Sequence, residues 1–141
     1  MLARIFGESF GWALLIARLV LGVIFIAHGG QKLFEMGVGQ VAGFFEGVGI
    51  PLPAFFAWVV SLTELFGGIA VLIGLFTRYA AVGIAIVMVV AIFTVKLKVG
   101  LIGARGPGYE LDLALLALAL ALVLAGPGKL SLEKILLKRE I

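Results

Sequence analysis

The stretch Ala17-Arg18-Leu19-Val20-Leu21-Gly22-Val23-Ile24-Phe25-Ile26-Ala27-His28-Gly29-Gly30-Gln31-Lys32-Leu33 decides the reading of this chain, because it carries three basic side chains through an otherwise apolar run. A charge at hydrocarbon depth is costly and persists only where something meets it. At about 100° per residue, His28 falls about 80° and Lys32 about 40° round a helix from Arg18, so the three share one broad face. That face must look into the protein and not at lipid. Its acidic partners have to come from the other apolar runs, which supply Glu64, Glu110 and Asp112.

Hydrophobic residues make up 63% of the 141 and charged residues 13%, with a mean hydropathy of +1.26, far outside the usage of soluble globular domains. The chain therefore reads as an integral membrane protein. Its length leaves room for about four helices of roughly 20 residues, in a single domain spanning residues 1–141 with no separate soluble module. The net charge of +3 sits mostly in loops and tail, where it reports membrane topology and gives no reason to expect nucleic acid. The absence of cysteine excludes thiol–disulfide exchange, iron–sulfur clusters and thiolate metal sites. One histidine among scattered acids offers no metal-ligand spacing, so no metal is expected.

The expected spans are residues 11–33, 54–75, 80–95 and 109–125. The first is too long, and too interrupted by Arg18, for a cleaved signal peptide. Residues 35–53 carry Gly39, Gly43 and Gly47 among Val41, Phe44, Phe45 and Val48, and end at Pro51 and Pro53. They read either as a short interfacial helix or as a linker whose phenylalanines pack on helix ends. Thr77-Arg78-Tyr79 is expected to turn between the second and third spans. On the third, Ala81 and Ala85 allow close helix approach, and on the fourth Ala117, Ala121 and Ala125 make a small-residue ridge. Beyond Gly126-Pro127-Gly128, Ser131 is placed as an N-cap with Leu130 and Ile135 as a staple. The tail helix so begun would turn Leu132, Ile135 and Leu136 to the bilayer surface and Lys134, Lys138 and Arg139 to anionic headgroups. The expected fold is thus an all-α integral membrane four-helix bundle, with an interfacial segment between helices 1 and 2 and an amphipathic C-terminal tail. Four spans put both termini on one side, which then holds six of the loop and tail basic residues against four on the other. That asymmetry favours cytoplasmic termini in a multi-pass protein of the cell membrane.

At about 1.5 Å per residue, Arg18 lies roughly 22 Å from the outer end of the first span and Glu64 roughly 15 Å from the outer start of the second. An extended arginine covers the difference, so an Arg18–Glu64 ion pair is expected between neighbouring helices. Such a pair either pins two helices together or floors a polar cavity whose mouth is His28, Lys32, Glu110 and Asp112. Failing it, Glu64 faces Lys32 or His28. Each mouth residue also has a purely structural account: the helix dipole for Glu110 and Asp112, snorkelling for Lys32, packing for His28. Their convergence is what points to a proton, ion or polar-headgroup path.

The ordered set Ala17-Arg18-Leu19 with Gly22, His28-Gly29, Lys32-Leu33, Glu64 with Gly67-Gly68, Gly74-Leu75-Phe76-Thr77-Arg78, Glu110 and Gly126-Pro127-Gly128 with Leu130-Ser131-Leu132 resembles the DoxX family of small four-helix membrane proteins. The match runs from about Ala13 to Glu133, with Glu133 standing where the family often has Asp. The family is similar to the membrane subunit of thiosulfate:quinone oxidoreductase. The resemblance implies electron transfer to membrane quinone, or an anchor for a soluble or membrane oxidoreductase partner. On that reading Arg18, His28, Lys32 and Asp112 bind the quinone, with His28 or Lys32 on a carbonyl, and Glu64 or Glu110 delivers the accompanying proton. No flavin motif or haem ligand pair is present, so electrons would come from a donor. A non-enzymatic scaffold, and a small transporter or lipid-binding protein using the same pocket, are the alternatives. Lipids, the oxidoreductase partner and further copies of the chain are the expected partners.

Overall fold

The computed structural model describes residues 2–141, and every regular element among them is helical. α1 (Leu2–Gly30) runs on without a break into π-helical turns over Gln31–Met36, and Gly37, at φ +83°, ends it. α2 (Val38–Gly47), α3 (Pro53–Ile73) and α4 (Thr77–Ala91) follow, the last continued by a π-helical turn over Ile92–Lys96. α5 (Tyr109–Ala125) and α6 (Leu132–Leu137) complete the chain. Pro53 opens α3 at the one helical position whose missing N–H costs nothing.

Six α-helices stand among the described residues, where four spans, a segment between the first two read as interfacial helix or linker, and a tail helix were expected. Three segments, Leu2–Met36, Pro53–Ile73 and Thr77–Lys96, are long and apolar enough to cross a membrane. α5 has 17 residues, about 26 Å of helix against a hydrocarbon core of about 30 Å. α1 contacts α3, α3 contacts α4, α4 contacts α5, and α5 returns to α1. α1 begins nine residues before the expected first span and overhangs the others. Residues 35–53 hold a true helix, α2, whose Val41 and Phe45 are buried against Ala57 of α3; it is a packed element and not a linker. The turn between α3 and α4 is Gly74-Leu75-Phe76, with Thr77 already helical and buried. Ser131 stands at the N-cap of α6 without a capping side-chain bond, and Leu130 and Ile135 are both exposed, so the expected staple is not formed. Lys138 and Arg139 lie beyond the helix end.

The tightest seam is α1 on α3. A methyl group on Gly22 would come 2.8 Å from Leu72 Cβ and 2.9 Å from the Gly68 carbonyl oxygen, and one on Gly68 would come 2.7 Å from the Ile26 nitrogen. A methyl on Gly29 would overlap the Leu65 backbone. The two helices thus meet backbone to backbone, the arrangement small residues permit where lipid removes any hydrophobic drive for association. Ala81 and Ala85 are buried as expected of a close-approach surface. On α5 the buried residues are Asp112, Leu115, Ala119 and Leu122, while Ala117 and Ala121 are exposed. α5 is apolar on every side, so alanine spacing alone does not show which side packs.

Gly67 and Gly68 provide a matched test of this seam. A methyl on Gly67 would sit 3.5 Å from the Ile84 side chain, an ordinary contact. Gly68→Ala should lower stability in detergent by about 1–3 kcal/mol, the usual cost of overpacking, whereas Gly67→Ala should be neutral or slightly stabilising through helix propensity. Equal melting temperatures for the two variants would show that the seam is not backbone-tight.

Candidate functional site

Packing of Gly29 on Leu65 fixes the height of α1 against α3, and the next polar residue along α1 then meets the next acid on α3. Lys32 Nζ lies 2.5 Å from Glu64 Oε2, with the Glu64 side chain buried and that of Lys32 mostly so. Lys32 belongs to the π-helical extension, where an extra residue per turn re-aims side chains, a feature common at functional sites.

The pair borders a cavity of about 640 Å³ enclosed by α1 to α5. His28, Lys32, Glu64, Lys96 and Asp112 supply its ionisable groups, and Phe25, Phe45, Val60, Met88 and Leu115 are among its apolar walls. His28 is exposed and tilts against Phe25, with ring centroids 6.4 Å apart. Asp112, at 9% exposure, is buried, and its Oδ2 has no hydrogen-bond partner among the described residues. Lys96, His28 and Lys32 all act on it electrostatically. Lys96 comes from the π-helical turn ending α4 and donates to the Pro107 carbonyl oxygen at 3.0 Å. A buried carboxylate oxygen without a donor is costly, so the cavity presents a strong acceptor beside a donor-bearing ion pair, in mainly apolar walls.

Two of the expected site residues lie elsewhere. Glu110 is exposed and does not line the cavity; two residues from Asp112 on a helix is about 200° of rotation, so the two cannot both face inward. Arg18 does not meet Glu64. At 1% exposure it lies at the far end of α3, where Nε donates to Val71 O at 3.0 Å and Nη2 to Leu72 O at 3.3 Å. Nη1 donates to Pro127 O at 2.8 Å and Lys129 O at 3.1 Å, and Nη2 also to Leu130 O at 3.2 Å. The depth calculation placed it wrongly because it took the outer ends of the first two spans as level, whereas Gly29 packs on Leu65 and Gly22 on Leu72, a register that sets Arg18 beside the last turn of α3. There it satisfies C-terminal carbonyls that a helix leaves unpaired and binds them to the loop after α5. Glu133, fully buried, supplies the countercharge, and its N–H donates to Gly74 O at 3.0 Å. Gly74, at φ +73°, has to be glycine: a methyl there would come 2.8 Å from Arg18 Nη1. Arg78 treats α5 similarly, its Nη1 donating to Val123 O and Leu124 O.

Lys96 is the cavity residue that the sequence conceals. It reads as the charge that stops a span; the available signal is that it and Asp112 border the same end of adjoining helices.

With this geometry in view, the chain is a membrane protein of the DoxX family, whose family model matches residues 13–97. It is 37% identical over 131 residues, 93% of this chain and 92% of the relative, to a Bacillus subtilis protein named "Putative oxidoreductase CatD". It is 37% identical over 134 residues, 86% of this chain and 80% of the relative, to an uncharacterized membrane protein of Mycobacterium tuberculosis. The Escherichia coli inner membrane protein YqjF is 28% identical over 125 residues, 89% of this chain and 92% of its own length. No solved structure matches.

Double-mutant cycles separate the two polar centres. Lys32 and Glu64 should couple by about 1–3 kcal/mol in detergent unfolding, whereas Arg18 and Glu64, which share no partner, should add to within about 0.5 kcal/mol. Strong coupling of Arg18 to Glu64 would contradict the arrangement described.

Proposed function

We propose that this chain is the membrane subunit of a quinone-linked oxidoreductase and that the cavity between α1 and α5 receives the quinone ring. The observation that carries this reading is the buried, unpartnered Asp112 carboxylate beside the Lys32–Glu64 pair in an otherwise apolar cavity. The relative named as an oxidoreductase supports the reaction class. The residues fit such a group: a flat apolar ring suits the phenylalanine and leucine walls, and its two oxygens suit the polar end. A bound quinone supplies the capacity to accept two electrons and two protons. Lys32 and His28 donate hydrogen bonds to one ring oxygen, Glu64 orients Lys32, and Asp112, carrying a proton at Oδ2, donates to the other. A partner protein in its reduced form is the electron donor, since the chain carries no flavin or haem motif.

Binding of a decyl-substituted benzoquinone in lipid nanodiscs tests this. Asp112→Leu and His28→Ala should each weaken it by about tenfold, the worth of one buried hydrogen bond, without lowering the melting temperature. Wild-type affinity in an Asp112→Leu, His28→Ala double variant would remove the cavity from consideration.

The same reading takes α5 as a fourth crossing, shorter than the local hydrocarbon and accommodated by bilayer thinning. Both termini are then cytoplasmic, following the basic asymmetry of the loops. In intact cells a cysteine at Gly103 should react with an impermeant maleimide and one at Ile141 should not; identical behaviour at both positions would contradict four crossings.

A further inference from the structure

The polar end of the cavity is only half of its boundary. α3 and α4 are joined by the short turn Gly74-Leu75-Phe76 and pack together beyond it: methyl groups on Gly67 and Gly83 would come 3.5 Å from Ile84 and 3.2 Å from Thr63 across the seam. Farther from the turn, Val59 of α3 and Ile86 and Val90 of α4 line the cavity. These three are also surface residues, 39%, 59% and 44% exposed, as are Phe44 of α2 and Leu111 of α5, which line the cavity at 50% and 37%. A side chain that lines a cavity and is exposed as well stands on its rim. Ile86 and Val90 lie one turn apart, each about 200° round α4 from the buried Met88, so this rim is on the outer side of the bundle. It carries no polar group, and in a membrane it faces hydrocarbon. The opposite end, at Lys96, Pro107 and Asp112, holds the charges.

We infer that the cavity opens sideways into the bilayer between α3 and α4, and that its ligand is a membrane-dissolved amphiphile whose polar head passes Val59, Ile86 and Val90 to reach Lys32, Glu64 and Asp112 while its hydrocarbon chain stays at that rim. The choice of a quinone as the head rests on the function proposed above; the route and the orientation rest on the rim. A charged, chainless solute has no means of crossing three apolar side chains that face lipid, and a chain left in hydrocarbon loses nothing by remaining there. Entry along the membrane plane also keeps bulk water away from the acid and the ion pair, which strengthens both.

The test uses wild-type protein in liposomes and two photoreactive decyl-benzoquinones, one with a diazirine at the chain end and one with it on the ring. Cross-links displaced by unlabelled decyl-benzoquinone are mapped by mass spectrometry. Chain-end labels on Val59, Ile86 or Val90 together with ring labels near His28 or Asp112 are expected. Ring labels in the cavity with chain-end labels on α2 or on the loop before α5 would overturn the sideways route while leaving the head site standing. Absence of displaceable labelling from either probe would overturn both. Val90→Trp, at an exposed position, should melt as the wild type does and reduce chain-end labelling several-fold; unchanged labelling would count against the portal.

Discussion

The backbone contact between α1 and α3 is the constraint on which the rest of the molecule depends. Gly22, Gly29 and Gly68 remove side chains from between the two helices, and lipid supplies no hydrophobic force that would hold a looser pair together. Because the seam is backbone on backbone, it fixes height as well as distance. At one end this height sets Lys32 beside Glu64; at the other it sets Arg18 beside the last carbonyls of α3. A shift of one turn, about 5.4 Å, would break both arrangements together.

The two ends solve the problem of buried charge in opposite ways. Arg18 is saturated: its guanidinium serves five backbone carbonyls and faces Glu133. Such a group has nothing left to offer a ligand, and its work is to tie the C-terminal segment to α1 and α3. The Lys32, Glu64 and Asp112 cluster has a carboxyl oxygen left over with a cavity in front of it, whereas the equally unpartnered Glu133 Oε1 at the Arg18 end does not line that cavity. The Arg18 centre holds the fold; the one at the border of the cavity is where a protonated carboxyl can donate to a ligand oxygen.

The membrane class, the apolar runs and the convergence of His28, Lys32, Glu64 and Asp112 were legible in the sequence, because intramembrane charges are so costly that few arrangements satisfy them. Arg18 was not, since its level on α3 depends on how far the two helices are slid past one another, a register that the contacts of Gly22 and Gly29 set and that span ends do not reveal. The exclusion of Glu110 was available from helical rotation alone, two residues from Asp112. Residues 35–53 stayed ambiguous between helix and linker because glycine spacing does not reveal what a segment packs against; the contact of Val41 and Phe45 with Ala57 decides it. The uniform apolarity of α5 likewise hid its packed side.

The central claim is that the cavity holds a membrane quinone. Gentle purification from native membranes, followed by mass spectrometry of the extracted small molecules, tests it most directly. Wild-type protein should retain quinone in near-stoichiometric amount, and Asp112→Leu protein purified in parallel should lose most of it. Retention no greater than that of an unrelated membrane protein, or equal retention by the variant, would contradict the claim.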